Sequence, residues 1–219
     1  MAEVIAQNTE IKDAIAFTSK QYDDMMVQLH QLESERKSDR VHIQQLEEKV
    51  ENLERMLYST KIEIRNIPKK PGENKDDLCT IITRVGNVLE TPIQRQDIKD
   101  VFRVNYKDSK SSAIIVDLSS VILKENLLKK GRHFNNKNKQ NKVNSTHLNI
   151  EGPPKPVYLS ERLAPKTQGL FHITRNFAKD NGYKYCWTSY GRVFLRQDDG
   201  KQQFLIKSEG DLNNLLQEK

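Results

Sequence analysis

Aromatic rings and positive charges lie close together over residues 183–196 of the sequence. Bases of a single-stranded nucleic acid stack on such rings, and its phosphates pair with such cations. This residue composition therefore predicts binding of single strands. The candidate contacts are Lys184, Trp187, Tyr190, Arg192 and Arg196, with Arg162 as a further candidate upstream.

The alternation of side chains along a β-strand divides these residues between two faces. A strand over 183–188 places Tyr185 and Trp187 on one face and Cys186 on the other. In the next strand Arg192 and Arg196 share a face. Trp187 then has two interpretations, a base-stacking ring or a core residue, and the pattern leaves both open.

A second group of cations lies between residues 124 and 147, where seven Lys and Arg stand against one acid, Glu125. Residues 131–147 include five Asn and only two large apolar side chains, Phe134 and Val143. Such a composition predicts a flexible linker that tracks phosphates without reading sequence, or a solvated connector with no ligand. The candidate phosphate contacts are Lys129, Lys130, Arg132, Lys137, Lys139 and Lys142.

Charge is distributed unevenly along the chain and divides it into two parts. The 219 residues include 36 Lys and Arg and 30 Asp and Glu, a net charge of +6. Residues 1–57 hold 7 basic and 12 acidic side chains, so the remaining 162 residues carry +11. This asymmetry predicts an acidic segment with one role and a basic remainder that binds a polyanion.

Several function classes are disfavoured by the sequence. No run approaches the ~18 apolar residues of a membrane span, and residues 1–4 do not begin a signal-peptide pattern, so we expect a cytoplasmic and/or nuclear protein without a membrane partner. Cys79 and Cys186 are 107 positions apart, and the five histidines lack metal-ligand spacing. We therefore predict no enzyme activity, no metal and no cofactor.

The acidic segment predicts a coiled coil over residues 1–57. A heptad repeat runs without a break from Val4 to Leu57, and 12 of its 16 seam positions are apolar. Glu35 with Arg40, and Lys49 with Glu54, take positions that attract across a parallel pair. We predict self-association as a parallel dimer or trimer, mainly through Leu29, Leu32, Ile43, Leu46, Val50, Leu53 and Leu57.

Residues 58–130 predict an RNA-recognition-like α/β domain. Strand patterns over 61–67, 97–104 and 112–118 and helix patterns over 75–89 and 119–130 give the order β-α-β-β-α of the split βαβ fold. Glu63 stands where such modules carry a stacking ring, and residues 112–118 contain no aromatic side chain. The usual stacking on this sheet is therefore not expected.

The rest of the chain predicts a basic linker over 131–155 and a small basic α+β domain over 156–219. In this last domain we expect a strand over 157–159, a helix over 165–180, strands over 183–188, 192–196 and 203–207, and a helix over 211–216. The predicted fold class is α+β, comprising a long N-terminal coiled coil, an RNA-recognition-like domain and this C-terminal domain.

Three runs in the C-terminal domain, Val157–Leu163, Tyr183–Thr188 and Gly191–Arg196, form a recognisable pattern. They closely resemble the C-terminal domain of the baculovirus few-polyhedra (FP) protein family. The domain plan is also similar to that of the first-open-reading-frame proteins of insect LINE-type retrotransposons. The resemblance implies a non-enzymatic, oligomeric nucleic-acid-binding protein. In the viral family it implies a role in virion and occlusion-body formation.

Two functions follow. The first is a homo-oligomeric, largely sequence-independent binder of single-stranded RNA or DNA, with RNA as the first expectation. It would serve as a chaperone or ribonucleoprotein packaging factor of a mobile element or virus. The alternative is a non-catalytic coiled-coil structural or assembly factor that acts through protein partners.

Overall fold

The computed structural model describes residues 1–105 and 112–217 of the chain. The chain divides into two compact units, Met1–Asn52 and Leu53–Lys219. The first unit is helical throughout its described part. The second unit contains two antiparallel sheets, each with helices on one face.

Helix α1 (Ala2–Tyr58) is a single uninterrupted helix of 57 residues, about 85 Å long at ~1.5 Å per residue. No Pro or Gly occurs within it, so nothing in the sequence breaks its hydrogen-bond ladder. The predicted seam residues share high exposure: Leu29 49%, Leu32 59%, Ile43 54%, Leu46 45%, Val50 54%, Leu53 65% and Leu57 60%. In the single chain, this apolar stripe is therefore open to solvent.

The first sheet has the strand order β2-β3-β1-β4, and all neighbouring strands are antiparallel. Its strands are β1 (Lys61–Arg65), β2 (Ile98–Asn105), β3 (Ser112–Leu118) and β4 (Tyr158–Glu161). Its helices are α2 (Lys75–Val88) after β1 and α3 (Val121–Lys137) after β3. The predicted order β-α-β-β-α thus appears in the structure, completed by β4.

Alternation along β1 decides which side chains form the core. Ile62 and Ile64 are fully buried against the helices, whereas Lys61, Glu63 and Arg65 belong to the other face. Both helices begin at residues that cap them: Asn74 starts α2 with a capping box, and the Ser120 side chain accepts the Leu123 N–H of α3.

The segment predicted as a flexible linker over 131–155 differs in the structure. Helix α3 continues through its first seven residues, and Val143 and Leu148 are fully buried in the core. The Arg84 side chain donates to the Leu148 carbonyl at 3.1 Å. The segment is too polar to fold alone. It is ordered because a few of its apolar residues pack against a core that other elements form.

The strand expected to open the C-terminal domain belongs to the first sheet instead. Strand β4 pairs with β1, with Ile62 opposite Glu161 and Ile64 opposite Leu159. Strand β1 pairs with β3 along one edge, and without β4 the backbone groups along its other edge would lack hydrogen-bond partners in the sheet. Strand β4 supplies those partners. The expected domain boundary at residue 156 therefore lies just before β4, a strand of the first sheet.

The second sheet lies at the C-terminal end in the order β5-β6-β7. Its elements are α4 (Pro165–Asp180), β5 (Tyr185–Ser189), β6 (Arg192–Arg196), β7 (Gln203–Ile206) and α5 (Glu209–Gln217). Its core consists of Ala178, Val193, Leu195, Ile206, Leu212 and Leu215. Helices α4 and α5 thus cover one face of the sheet, which leaves the other face without a helix of this module.

The predicted mixed α+β class, with a long N-terminal helix and antiparallel sheets, is confirmed. In the part of the chain that the structure describes, no helix combines the length and apolarity needed to cross a bilayer.

Candidate nucleic-acid interface

The face of the second sheet turned away from α4 and α5 carries the predicted ring and cation residues. Strand pairing places Tyr185 opposite Arg196 and Trp187 opposite Phe194, and side chains directly opposite each other share a face. We call Tyr185, Trp187, Arg192, Phe194 and Arg196 the open face. Arg192 is exposed and the other four are half-buried.

The rings and the guanidinium group of the open face contact one another. The Trp187 and Phe194 rings are stacked, with centroids 5.6 Å apart and planes at 16°. The guanidinium carbon of Arg196 lies 4.6 Å from the Tyr185 ring centroid and 5.8 Å from that of Trp187. Trp187 therefore belongs to the open face, while the core behind it is filled by Val193 and Leu195.

One end of the open face is occupied by carboxylates of the turn after β6, which we call the acidic turn (Asp198–Gly200). The Lys184 Nζ atom lies 2.5 Å from Asp199 Oδ2 and 3.1 Å from Asp198 Oδ1. The Tyr185 hydroxyl donates to Asp199 Oδ1 at 2.6 Å, and an Arg196 nitrogen lies 3.8 Å from the same oxygen. Lys184, Tyr185 and Arg196, which we call the polar end, thus converge on two carboxylates.

These contacts shift the ionisation of the groups that make them. The pKa of Lys184 is raised above its ordinary value, mainly by the hydrogen bond to Asp199. The pKa of Asp199 is lowered, mainly by the same hydrogen bond. The pKa of Asp198 is lowered mainly by the Asp199 backbone N–H, then by Lys184. All of these groups are fully charged near neutral pH, and the charges of the polar end and the acidic turn balance.

Tyr190 and Arg192 lie at the opposite end of the hairpin. Tyr190 and Gly191 both take positive φ, +51° and +66°, so they form the tight turn between β5 and β6. The Tyr190 side chain is 61% exposed. Tyr190 and Arg192 are therefore exposed to solvent at the β5–β6 turn, at the end of the hairpin opposite the acidic turn.

The six cations predicted upstream form a basic surface on α3 and the loop after it. Lys129, Lys130, Arg132 and Lys137 lie on the exposed side of α3, and Lys139 and Lys142 are exposed beyond its end. Lys130 donates to Glu90 at 3.0 Å, which lowers the pKa of that carboxyl. We call these six residues the basic surface.

Two other cations named from the sequence, Lys124 and Arg162, are largely buried and form ion pairs with acidic side chains. Lys124 is 1% exposed and lies 3.6 Å from Glu161 Oε2 and 3.2 Å from Glu125. Arg162 donates to Glu63 at 2.9 Å, and its side chain is 17% exposed. The structure therefore places this candidate in an ion pair with Glu63 rather than on an open surface.

Sequence reasoning did not select Asp198, Asp199 or Phe194 as residues of the site. A signal was present, because Asp198, Asp199 and Gly200 follow one residue after Arg196, in a hairpin whose register sets Arg196 opposite Tyr185. Among the described residues, no group of three or more His, Cys, Asp or Glu side chains is placed to hold a metal ion.

Comparison with protein families gives a match in the C-terminal part of the chain. Residues 164–216 match the family described as Baculovirus FP protein domain 2. The match covers α4, the three strands of the second sheet and nearly all of α5, and it confirms the resemblance to the baculovirus FP family. A comparison with curated proteins gives no match.

Proposed function

We propose that the protein is a homo-oligomeric, largely sequence-independent binder of single-stranded nucleic acid, with RNA as the first expectation. It would act as a chaperone or ribonucleoprotein packaging factor. The observation that carries this proposal is the open face, on which the Tyr185 and Trp187 rings and the Arg196 guanidinium group lie together outside the core.

The chemistry of the open face suits unpaired bases. Every base presents a π-face, so stacking on Trp187 or Tyr185 tolerates any sequence and stabilises binding by ~1–3 kcal/mol per base. The exposed Arg192 guanidinium group at the edge of this face is available to a phosphate. This combination supports sequence-independent binding of a flexible strand.

The basic surface supports the same proposal through charge. Its six cations are exposed, and among the described residues Glu90 forms an ion pair with one of them, Lys130. Phosphate contacts of this kind position a strand without specifying its sequence. The net +11 of residues 58–219 adds a longer-range attraction to polyanions.

The connectivity of the first sheet supports an RNA-recognition-like assignment. The chain order β1-α2-β2-β3-α3-β4 and the sheet order β2-β3-β1-β4 are those of a split βαβ module, the class that includes RNA-recognition domains. The Glu63–Arg162 ion pair occupies the sheet where such domains stack bases. In this protein we therefore propose that the module positions the basic surface instead.

The exposed stripe of α1 supports self-association as a parallel coiled coil. Seven aliphatic side chains at heptad spacing, each at least 45% exposed, lose contact with water when a second copy packs against them. Joining the basic modules in one oligomer raises their effective concentration on a strand, so weak single sites bind tightly together.

The proposal is tested by binding a labelled single strand of about 50 nucleotides at 50 to 300 mM salt. We expect affinity to fall steeply, because each phosphate contact in a single strand contributes ~0.7 to the logarithmic salt slope. Arg192→Ala with Arg196→Ala should weaken binding without changing the oligomer mass. A flat salt response, or no binding by the wild-type protein, would contradict the proposal.

Self-association is tested by sedimentation of Leu46→Asp with Leu53→Asp, which puts charges into the seam. Gln45→Asp with Asn52→Asp adds the same charge outside the seam and serves as the control. We expect only the seam variant to dissociate and to lose affinity for the long strand. An oligomeric protein that binds no nucleic acid but retains a nuclease-resistant protein partner would favour the alternative, a coiled-coil assembly factor.

A further inference from the structure

The polar end of the open face has the composition of an anion site. An ammonium group, a hydroxyl and a guanidinium group converge on the oxygens of Asp198 and Asp199 at 2.5 to 3.8 Å. The same three donor types bind phosphate oxygens with short, charge-assisted hydrogen bonds. The two carboxylates thus stand where the oxygens of a phosphate would be bound.

We propose that the polar end is a phosphate site for the nucleic-acid backbone, and that the acidic turn occupies it in the free protein. This inference rests on the proposed function and adds to it a specific competition. The strand must displace the two carboxylates before its phosphate reaches the polar end. The acidic turn thereby lowers the affinity of the open face.

One donor at this end has no hydrogen-bond partner. The Nε atom of Arg196 is buried and unpaired among the described residues, although the same guanidinium group faces both rings. A buried N–H without an acceptor is unfavourable. A phosphate held against this guanidinium group would supply the acceptor that the acidic turn does not.

The acidic turn is able to leave. The Asp198 and Asp199 side chains are 63% and 66% exposed, so water solvates them when they separate from Lys184. Ion pairs with this exposure are weak and screened by salt. The turn contains Gly200 at φ +75° and lies between β6 and β7, so its movement does not break the pairing of either strand.

The position of the polar end also fits a nucleotide. The Arg196 guanidinium group lies between the acidic turn and the ring of Trp187. A base stacked on the Trp187 ring therefore has its own backbone close to the place that the carboxylates now occupy. The rings would then bind a base, and the polar end would bind a backbone phosphate of the same nucleic-acid strand.

The test is binding of a fluorescent single-stranded RNA oligomer by the full chain with Asp198→Asn and Asp199→Asn. Asparagine keeps the shape of each side chain but removes its charge. We expect about two- to fivefold tighter binding, the range expected when one exposed ion pair no longer competes. The logarithmic salt slope should steepen by ~0.7 for each phosphate gained.

A matched control separates this competition from a general gain of positive charge. Asp180→Asn with Glu209→Gln makes the same change in net charge on exposed residues of α4 and α5, behind the sheet. Binding by the turn variant that is no tighter than binding by this control would overturn the inference. Should the double variant fold poorly by circular dichroism, Asp199→Asn alone is compared with Asp180→Asn alone, which makes the same change in net charge.

The outcome also distinguishes the inference from the proposed function. A wild-type protein that binds with the expected salt dependence, together with a turn variant equal to the control, would refute only the phosphate site. A wild-type protein that binds no strand at 50 mM salt would refute the proposed function, and the phosphate site with it.

Discussion

The carboxylate of Glu161 accepts the main-chain N–H of Gly191 at 3.2 Å, and this hydrogen bond links strand β4 of the first sheet to the β5–β6 turn of the second. The same oxygen lies 3.6 Å from the Nζ atom of Lys124 on α3. Glu161 is 9% exposed and Lys124 is 1% exposed. One buried carboxylate therefore connects a helix, an edge strand and a hairpin turn.

Replacing Lys124 with Met should destabilise the fold strongly. The substitution leaves the Glu161 charge buried with no cation, and removal of one partner of a buried pair costs about 3–5 kcal/mol. We expect a large drop in the urea midpoint of unfolding. The control is Lys130→Met on the same helix, whose exposed pair with Glu90 should cost less than about 1 kcal/mol. Equal midpoints for the two variants would contradict this assignment.

Gly86→Ala should also destabilise, for a steric reason. A Cβ atom at Gly86 would lie 2.6 Å from the Thr91 carbonyl oxygen and 2.9 Å from Ile93 Cγ1. Overpacking of this kind costs about 1–3 kcal/mol. Gly169→Ala in α4 is the matched control, because among the described residues no atom beyond the adjoining backbone of α4 lies within 4 Å of such a Cβ, and it should stabilise by about 0.5–1 kcal/mol. Thermal melting of both variants checks whether their shifts have opposite signs.

Trp187→Ala should weaken binding of single strands by ~1–3 kcal/mol, because a stacking surface is lost. Trp187→Phe keeps a flat ring beside Phe194 and should retain most of the affinity. Anisotropy titrations of both variants with one oligomer measure the difference, and circular dichroism verifies that each remains folded. Wild-type affinity in Trp187→Ala would exclude this ring from the interface.

The Cys186 thiol should react slowly with alkylating reagents near neutral pH. Burial raises its pKa to about 11, and the charge of Arg175 only partly offsets this. Because the thiolate is the reactive form, we expect iodoacetamide to modify free glutathione much faster than Cys186 at pH 8, and the rate at Cys186 to keep rising above pH 9. In the Cys79→Ala variant Cys186 is the remaining cysteine, so mass spectrometry of that variant measures alkylation at Cys186. A rate equal to that of glutathione would contradict the expected protection.

Local patterns in the sequence were sufficient to predict most of the secondary structure. Heptad spacing over residues 1–57 predicted helix α1 (Ala2–Tyr58), and short strand patterns predicted β3 at 112–118 and β6 at 192–196 with the observed bounds. The start of α4 at Pro165 also follows from the sequence, since proline suits the first turn of a helix. These features depend on neighbours within a few positions, which the sequence contains directly.

Tertiary structure alone decided which polar residues are accessible. Lys124 and Lys129 look equivalent in the sequence, yet one is buried beside Glu161 and the other is exposed. The composition of residues 131–155 predicts a linker, but Val143 and Leu148 are buried in a core formed with distant elements. The sequence by itself determined the order of the elements and the distribution of charge. The register of β5 and β6 and the geometry of the turn after β6 determined that Lys184 and Arg196 meet Asp199, a contact that composition does not specify.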